Sequence, residues 1–459
     1  MKRLGSTLSN SLLAAILVLI CLTPIKSQTP ARARRIAVFG SSVAFGTGDE
    51  TNKEGYTGLL RELLAPRGWE VFNQSRGGDT TITMAPRFTP VGEPQTGVRY
   101  LTTVNPGYVV IGLSLTNEGV LEARTTEAKE AVFKQFADGI QGFVKRAREN
   151  NITPIVALGY PRMSYTPVEH EYVRRMNIAI NSWDVPSINL LGALDDGTGR
   201  YTIGFDSDDR HPNAAGHHEL FYAFVPSLFE ALEKGKPIPS RTTAKGFAHV
   251  AKGGGPLAFE PQDTMHSFTL SFSVQAQDNG SIADIAGHLI GAAIEAKPTA
   301  RGGSIQSATL SPGNAFGSSV IVLNGRLTYR AANGMNLISA VTADSKWHQV
   351  VVSHYLARGE TLFFVDGKLA GKTNERLQPS MFTIGGGMKA DYKDLLIYRA
   401  ALNADEADVL NTGKLLQASL EVYAPLTDAR FAEGSTVENR AQSMSVVKVG
   451  KGQISHVDQ

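Results

Sequence analysis

Apolar residues recur along this chain in two rhythms, and the change between them divides it. Through the first half, short near-continuous apolar runs alternate with stretches in which apolar residues return every three or four positions. The segments RIAVFG (35–40), WEVFN (69–73), YVVIGL (108–113), TPIVAL (153–158) and SINL (187–190) read as strands. Between them Tyr56, Leu59, Leu60, Leu63 and Leu64 fit one helix. Val132, Phe133, Phe136, Ile140, Phe143, Val144 and Ala147 fit a longer, amphipathic one. Further helices are predicted over 168–182 and 214–234, the last carrying Leu220, Phe224, Leu228 and Leu232. Strands alternating with helices predict a parallel sheet covered on both faces, spanning about residues 33–236.

Right-handed crossovers would make that unit a three-layer, flavodoxin-like α/β sandwich. From 237 to 255 the pattern dissolves into Pro, Ser, Thr, Lys and Gly, which reads as a linker. Beyond it the period becomes two: Phe268, Leu270, Phe272 and Val274 alternate with polar residues. Asn324-Gly325 and Asp366-Gly367 sit between such runs as hairpin turns. Many short strands with glycine-rich turns predict an all-β sandwich over 256–459. Its tail from 420 onward is strand-like and then polar, and the sequence leaves open whether it completes the sandwich.

At 459 residues the chain is too long for one core. With 19% charged residues and a formal net charge of +2, it describes a soluble globular protein with no electrostatic case for nucleic acid. Its single cysteine, Cys21, lies in the N-terminal segment, so the mature chain is expected to lack disulfides and cysteine-based metal sites. Lys2 and Arg3 precede an apolar run over 12–22 that is too short to span a bilayer. Residues 1–27 therefore read as a signal peptide cut after Ser27, leaving a mature chain that begins near Gln28. Lipoprotein anchoring through Cys21 is the alternative, disfavoured because Ile20 before it is not small. The expectation is a secreted or periplasmic protein with no stable membrane insertion.

Where the polar residues fall suggests chemistry. Ser42 follows the first strand, Gly78 the second and Asn117 the third, while Asp208 and His211 share the loop before the last helix. By itself, Ser42 reads as a helix cap or turn residue. Together the five gather at the carboxyl rim of the sheet, where ligands sit in such folds. His211 could take the proton of the Ser42 hydroxyl, and Asp208 could hold the far ring nitrogen. The backbone N–H groups of Ser42 and Gly78 and the amide of Asn117 would then face a developing oxyanion.

These residues lie in four blocks: GSSV (40–43), NQSRGGDTT (73–81), LTNE (115–118) and DDRHP (208–212). In that order they resemble the four blocks of the SGNH (GDSL-type) hydrolases, which implies a catalytic triad of Ser42, Asp208 and His211 with Gly78 and Asn117 in the oxyanion hole. Ser41, Leu115 and Glu118 depart from the family pattern, and no role is assigned to Glu118. The second half, with its Trp347-His348 strand and Val365-Asp366-Gly367 hairpin, resembles laminin-G-like (concanavalin-A-like) jelly rolls. Together the resemblances imply a secreted serine esterase acting on O-acyl, above all O-acetyl, esters of a polysaccharide through an acyl-enzyme. A lipase-like or small-ester hydrolase and a non-catalytic glycan-binding protein are the alternatives. No cofactor is implied, although a structural calcium in the β-sandwich is entertained.

Other features have plainer readings. His217 and His218, with His211, have loose metal-site spacing but read as packing or solvent-facing residues. Asp206, Asp208 and Asp209 read as a solvated acidic loop rather than a calcium loop. Tyr160, Pro161 and Arg162 read as an ordinary turn, with cleft lining as the alternative. His170 reads as a helix residue without a role, and Trp347 and Tyr392 as core rather than sugar platforms.

Overall fold

The computed structural model describes residues 32–298, 304–427 and 430–458; the segment read as a signal peptide, with Cys21, lies outside them. The first half forms five parallel strands: β1 (Arg35–Gly40), β2 (Glu70–Asn73), β3 (Tyr108–Gly112), β4 (Thr153–Ala157) and β5 (Ser187–Ile188). They lie in the order β2-β1-β3-β4-β5. The order reverses between β1 and β3, and a crevice opens above such a switch point. Helices α1 (Ser42–Phe45), α2 (Gly55–Leu64), α3 (Thr81–Met84), α4 (Thr126–Glu149), α5 (Pro167–Asn181), α6 (Leu191–Leu194), α7 (Ala214–Tyr222) and α8 (Leu228–Glu233) surround them.

Alternate residues of each strand serve opposite faces. Ile36, Val38, Val110 and Ile155 pack with Tyr56, Leu60, Leu220 and Phe229, from α2, α7 and α8. Ala37, Phe39, Val109, Ile111 and Val156 pack with Phe136, Ile140, Phe143 and Met176, from α4 and α5. Both faces are thus covered, as near-continuous apolar strands require. The single last helix expected over 214–234 is instead two helices. Pro226 lies between them, and a proline disfavours helical backbone at the residue before it.

The second half begins earlier than its pattern suggested. Residues 247–250, expected within a linker, form β6 (Phe247–Val250), because Ala248 and Val250 point into the core. There follow β7 (Leu257–Phe259), β8 (Phe268–Gln275), β9 (Gly280–Pro298), β10 (Ser304–Leu323), β11 (Arg326–Arg330), β12 (Asn336–Thr342) and β13 (Trp347–Tyr355). Next come β14 (Glu360–Val365), β15 (Lys368–Asn374), β16 (Leu377–Ile384), β17 (Ala390–Tyr398), α9 (Ala404–Asn411), β18 (Leu420–Ala424), β19 (Thr436–Val437), β20 (Val447–Val449) and β21 (Ile454–Val457). One sheet runs β12-β11-β10-β9-β16-β7-β20-β19; the other runs β15-β14-β13-β8-β17-β6-β21, with β18 on β17. The chain's tail therefore completes both sheets. At both predicted hairpin turns the first residue has φ near +51°, as that turn type demands.

The two halves are bonded along several segments. Ser419 N–H donates to Ser187 O at 3.0 Å, and its Oγ accepts from Asn189 N–H at 2.9 Å. Asn181 Oδ1 accepts from the backbone of Gln417 and Ala418. Lys236 Nζ reaches the carbonyls of Asn439 and Ser443. Buried Glu406, on α9, accepts from Asn189 Nδ2 at 3.0 Å. Most consequential for the site, the long β9–β10 hairpin leaves the sandwich and lies on the loop before α7. There Ala308 N–H donates to Gly204 O at 2.8 Å, and Ala308 joins the core of the first half.

Candidate active site

The site begins where β1 must stop. A Cβ on Gly40 would lie 2.1 Å from the carbonyl oxygen of Gly112 on β3, so only glycine lets the strands end this closely. Ser41 N–H donates to that same carbonyl at 2.9 Å, and the chain turns into α1. Ser41 occupies the cap position, but its hydroxyl does not cap; it sits buried, 3.4 Å from the Tyr160 hydroxyl. Ser42 is the first residue of α1, where a backbone N–H has no acceptor within the helix. Its Oγ lies 3.0 Å from His211 Nε2.

His211 is held by a tight loop. Ser207 N–H donates to His211 O at 2.9 Å, closing the loop at its base. Inside it Asp208 Oδ1 accepts from the N–H groups of Arg210 at 2.8 Å and His211 at 2.9 Å. Both carboxylate oxygens stand 2.9 Å from His211 Nδ1. A carboxylate only accepts, so Nδ1 carries the proton and the Nε2 lone pair faces Ser42. Partial burial works against the charge on Asp208, but bonds from the His211 ring and the Arg210 and His211 amides outweigh it. They hold the carboxyl below its ordinary value.

Two residues on, Asn213 is fully buried and caps α7 by accepting from Gly216 N–H at 2.9 Å. Its Nδ2 donates to Gly204 O at 2.9 Å and to Gln306 O of β10 at 3.1 Å. The sandwich thus braces the loop that carries Asp208 and His211. Nothing in the sequence pattern pointed to this contact.

Across the crevice, Gly78 has φ of +78°, a backbone that favours glycine. Asn117 Nδ2 donates to Asp79 O at 3.1 Å. Since a carbonyl only accepts, that bond fixes the amide with its second N–H free to point elsewhere. The Asp79 carboxylate is itself buried, bonded to Arg76 and Arg87. Glu118, without a role in the sequence reading, is a tether: it accepts from Thr81 N–H at 2.9 Å, Gln135 Nε2 at 2.9 Å and the Thr81 hydroxyl. It fixes the loop after β3 to the start of α3. Leu115, the other departure in that block, is buried in the core.

Ser42, Gly78, Asn117 and His211 all line one open cleft of about 650 Å³, with Thr47, Gly77, Thr116, Gly119, Glu122, Tyr160, Arg162 and Arg210. The reading of 160–162 as an ordinary turn is therefore corrected. Leu158 N–H bonds to the edge strand and Arg162 N–H to Gly199 O, so the segment crosses the cleft wall and presents Tyr160 and Arg162 to it.

The remaining histidines lie elsewhere. His217 is buried, with Nε2 on Thr47 O at 3.1 Å and Nδ1 facing Tyr56 N–H, and burial lowers its pKa to about 4. His218 is exposed, and His170 is buried against Asp195. Tyr392 lies in the sandwich core, while Trp347 is half-buried between Phe247 and Lys393. Among the described residues no three His, Cys, Asp or Glu side chains are arranged to hold a metal ion.

Residues 38–219 match the model of the GDSL-like lipase/acylhydrolase family. The N-terminal half is a GDSL-type hydrolase domain. By class such a domain is a carboxylic ester hydrolase, in a family of esterases and acylhydrolases. Among solved structures, the chain is similar to a G-D-S-L family lipolytic protein from Desulfitobacterium hafniense, at 18% identity and TM-score 0.33, covering 41% of this chain and 97% of that one. It is also similar to an acetylxylan esterase from Geobacillus stearothermophilus, at 15% identity and TM-score 0.31, covering 42% and 92%. A third is a SAP-like pentraxin from Limulus polyphemus, at 10% identity and TM-score 0.29, covering 47% and 95%. No curated protein matches the chain in sequence. The GDSL-type domain and the antiparallel β-domain that follows it account for nearly all the described residues.

Proposed function

We propose that this protein is a serine esterase that removes O-acyl groups, above all O-acetyl, from carbohydrate, with Ser42, His211 and Asp208 as its triad. The carrying observation is the continuous line from Ser42 Oγ through the His211 ring to Asp208, with each step at hydrogen-bond distance. Ser42 Oγ attacks the acyl carbon while His211 Nε2 takes its proton. The resulting imidazolium is stabilised by Asp208. Negative charge gathers on the former carbonyl oxygen, which the N–H groups of Ser42 and Gly78 and the free N–H of Asn117 receive. Collapse breaks the ester bond; the sugar oxygen leaves with the proton from His211, and the acyl group stays on Ser42. Water, losing a proton to His211, then attacks the acyl-enzyme; the acid departs and Ser42 regains its proton.

The cleft lining supports a polar substrate with a short acyl group. It is built from glycines, threonines, Asn117, Glu122, Tyr160 and two arginines, with no large aliphatic side chain to receive a lipid tail. The N-terminal pattern around Lys2, Arg3 and residues 12–22 supports export, which suits a polymeric extracellular substrate.

Acetate release from acetylated xylan, pectin and peptidoglycan tests the reading, with Ser42→Ala as control. Release from at least one, abolished in the variant, is the expected result. A preference for long-chain esters would favour the lipase-like alternative. Binding without turnover of any ester would leave a glycan-binding protein.

A further inference from the structure

One charge in the cleft has no counterpart. Arg162 lines the cleft wall, positioned by its backbone N–H on Gly199 O at 2.9 Å and by Met163 N–H on Asp209 O at 3.1 Å. Its Nε donates to Ser164 Oγ at 3.0 Å; among the described residues its side chain makes no other hydrogen bond and no ion pair. Elsewhere in the domain Arg99, Arg146 and Arg200 are held by backbone carbonyls, and others meet carboxylates. Arg76 and Arg87 bond Asp79, Arg174 meets Asp405 and Arg358 meets Glu360. Beside Arg162 in the cleft, Arg210 has only Asp209 at 3.6 Å, with both side chains more than half exposed. Asp208 is committed to His211, and the one acid of the lining, Glu122, stands at the rim beside Gly119.

A guanidinium always carries its charge, and its planar fork of N–H donors matches a carboxylate in two parallel bonds. Neutral sugar hydroxyls would be served by neutral amides, without holding a cation unpaired at the wall. Two cations facing an open cleft also raise the local concentration of a polyanion. We propose that Arg162, seconded by Arg210, is a carboxylate-binding subsite beside Ser42, and that the substrate is an O-acylated acidic polysaccharide of the polyuronate class. This rests on the esterase reading for the acyl chemistry, but binding at the subsite does not depend on turnover.

Two measurements separate the claims. In the first, acetate release by the full chain is compared on O-acetylated polygalacturonate and on O-acetylated glucomannan, which is neutral. The ratio of kcat/KM values should favour the polyuronate and should fall about tenfold or more in Arg162→Ala, with Arg162→Lys intermediate. A wild-type preference for glucomannan, or a ratio unmoved by Arg162→Ala, overturns the subsite. In the second, Ser42→Ala protein is titrated calorimetrically with oligogalacturonate and with manno-oligosaccharide. Oligogalacturonate should bind more tightly, more weakly as salt rises, and about tenfold or more weakly when Arg162→Ala is added. Equal binding of the two oligomers, or no effect of Arg162→Ala, again overturns it. If the wild type hydrolyses no ester, the esterase reading fails, and the titration alone decides the subsite.

Discussion

Ser42 is chemically like any other serine of the chain; what sets it apart is a histidine nitrogen 3.0 Å from its oxygen and a glycine-ended strand that presents it. The Asn117 amide is the part of the arrangement a single substitution isolates best. Asn117→Ala should lower kcat about 10²–10³-fold with a much smaller change in KM, measured on a soluble acetyl ester. The residues of the four blocks were legible in the sequence because three blocks follow strand ends and the fourth lies in the loop before α7, where the topology had to bring them to one rim. Arg162 and Glu118 were not legible in role. A tyrosine-proline-arginine segment looks like any turn until a cleft is found beside it. Glu118 acquires its function from Thr81 and Gln135, residues 37 and 17 positions away.

Among the elements, the α/β half could be read almost strand by strand, since burial on both faces leaves unbroken apolar runs and helices show their spacing. The misreadings have local causes. Leu228, Phe229 and Leu232 keep a helical spacing with Leu220 and Phe224, so the break at Pro226 hides inside an apolar pattern. The β6 strand is only four residues long, and its partners β17 and β21 lie more than a hundred residues on, so nothing near it in sequence reveals it. The β9–β10 hairpin is harder still. Which surface it meets is decided by Ala308 and Gln306 fitting the loop at Gly204 and Asn213. Through that contact a structural element of the second domain becomes a support for the loop bearing His211.

At the scale of the molecule, the two halves share buried polar groups, and one of them should make stability depend on pH. Burial pushes the Glu406 carboxyl up to about 7 from an ordinary 4.5, although bonds from Asn403 N–H and Asn189 oppose the rise. The folded protein therefore favours the protonated form. The stability this contributes is whole below about pH 4.5 and is lost as pH rises through about 7, a change on the order of 3 kcal/mol. Glu406→Gln should flatten the decline of Tm between pH 5 and pH 8 in thermal melts, and an unchanged slope would show that the carboxyl titrates normally. The central claim, that His211 activates Ser42, is tested most directly by covalent labelling with a fluorophosphonate read by peptide mass spectrometry. The expected result is a single adduct on Ser42, formed with loss of fluoride, that His211→Ala slows at least a hundredfold; an adduct on another residue, or one formed on Ser42 as fast without the imidazole, would contradict it.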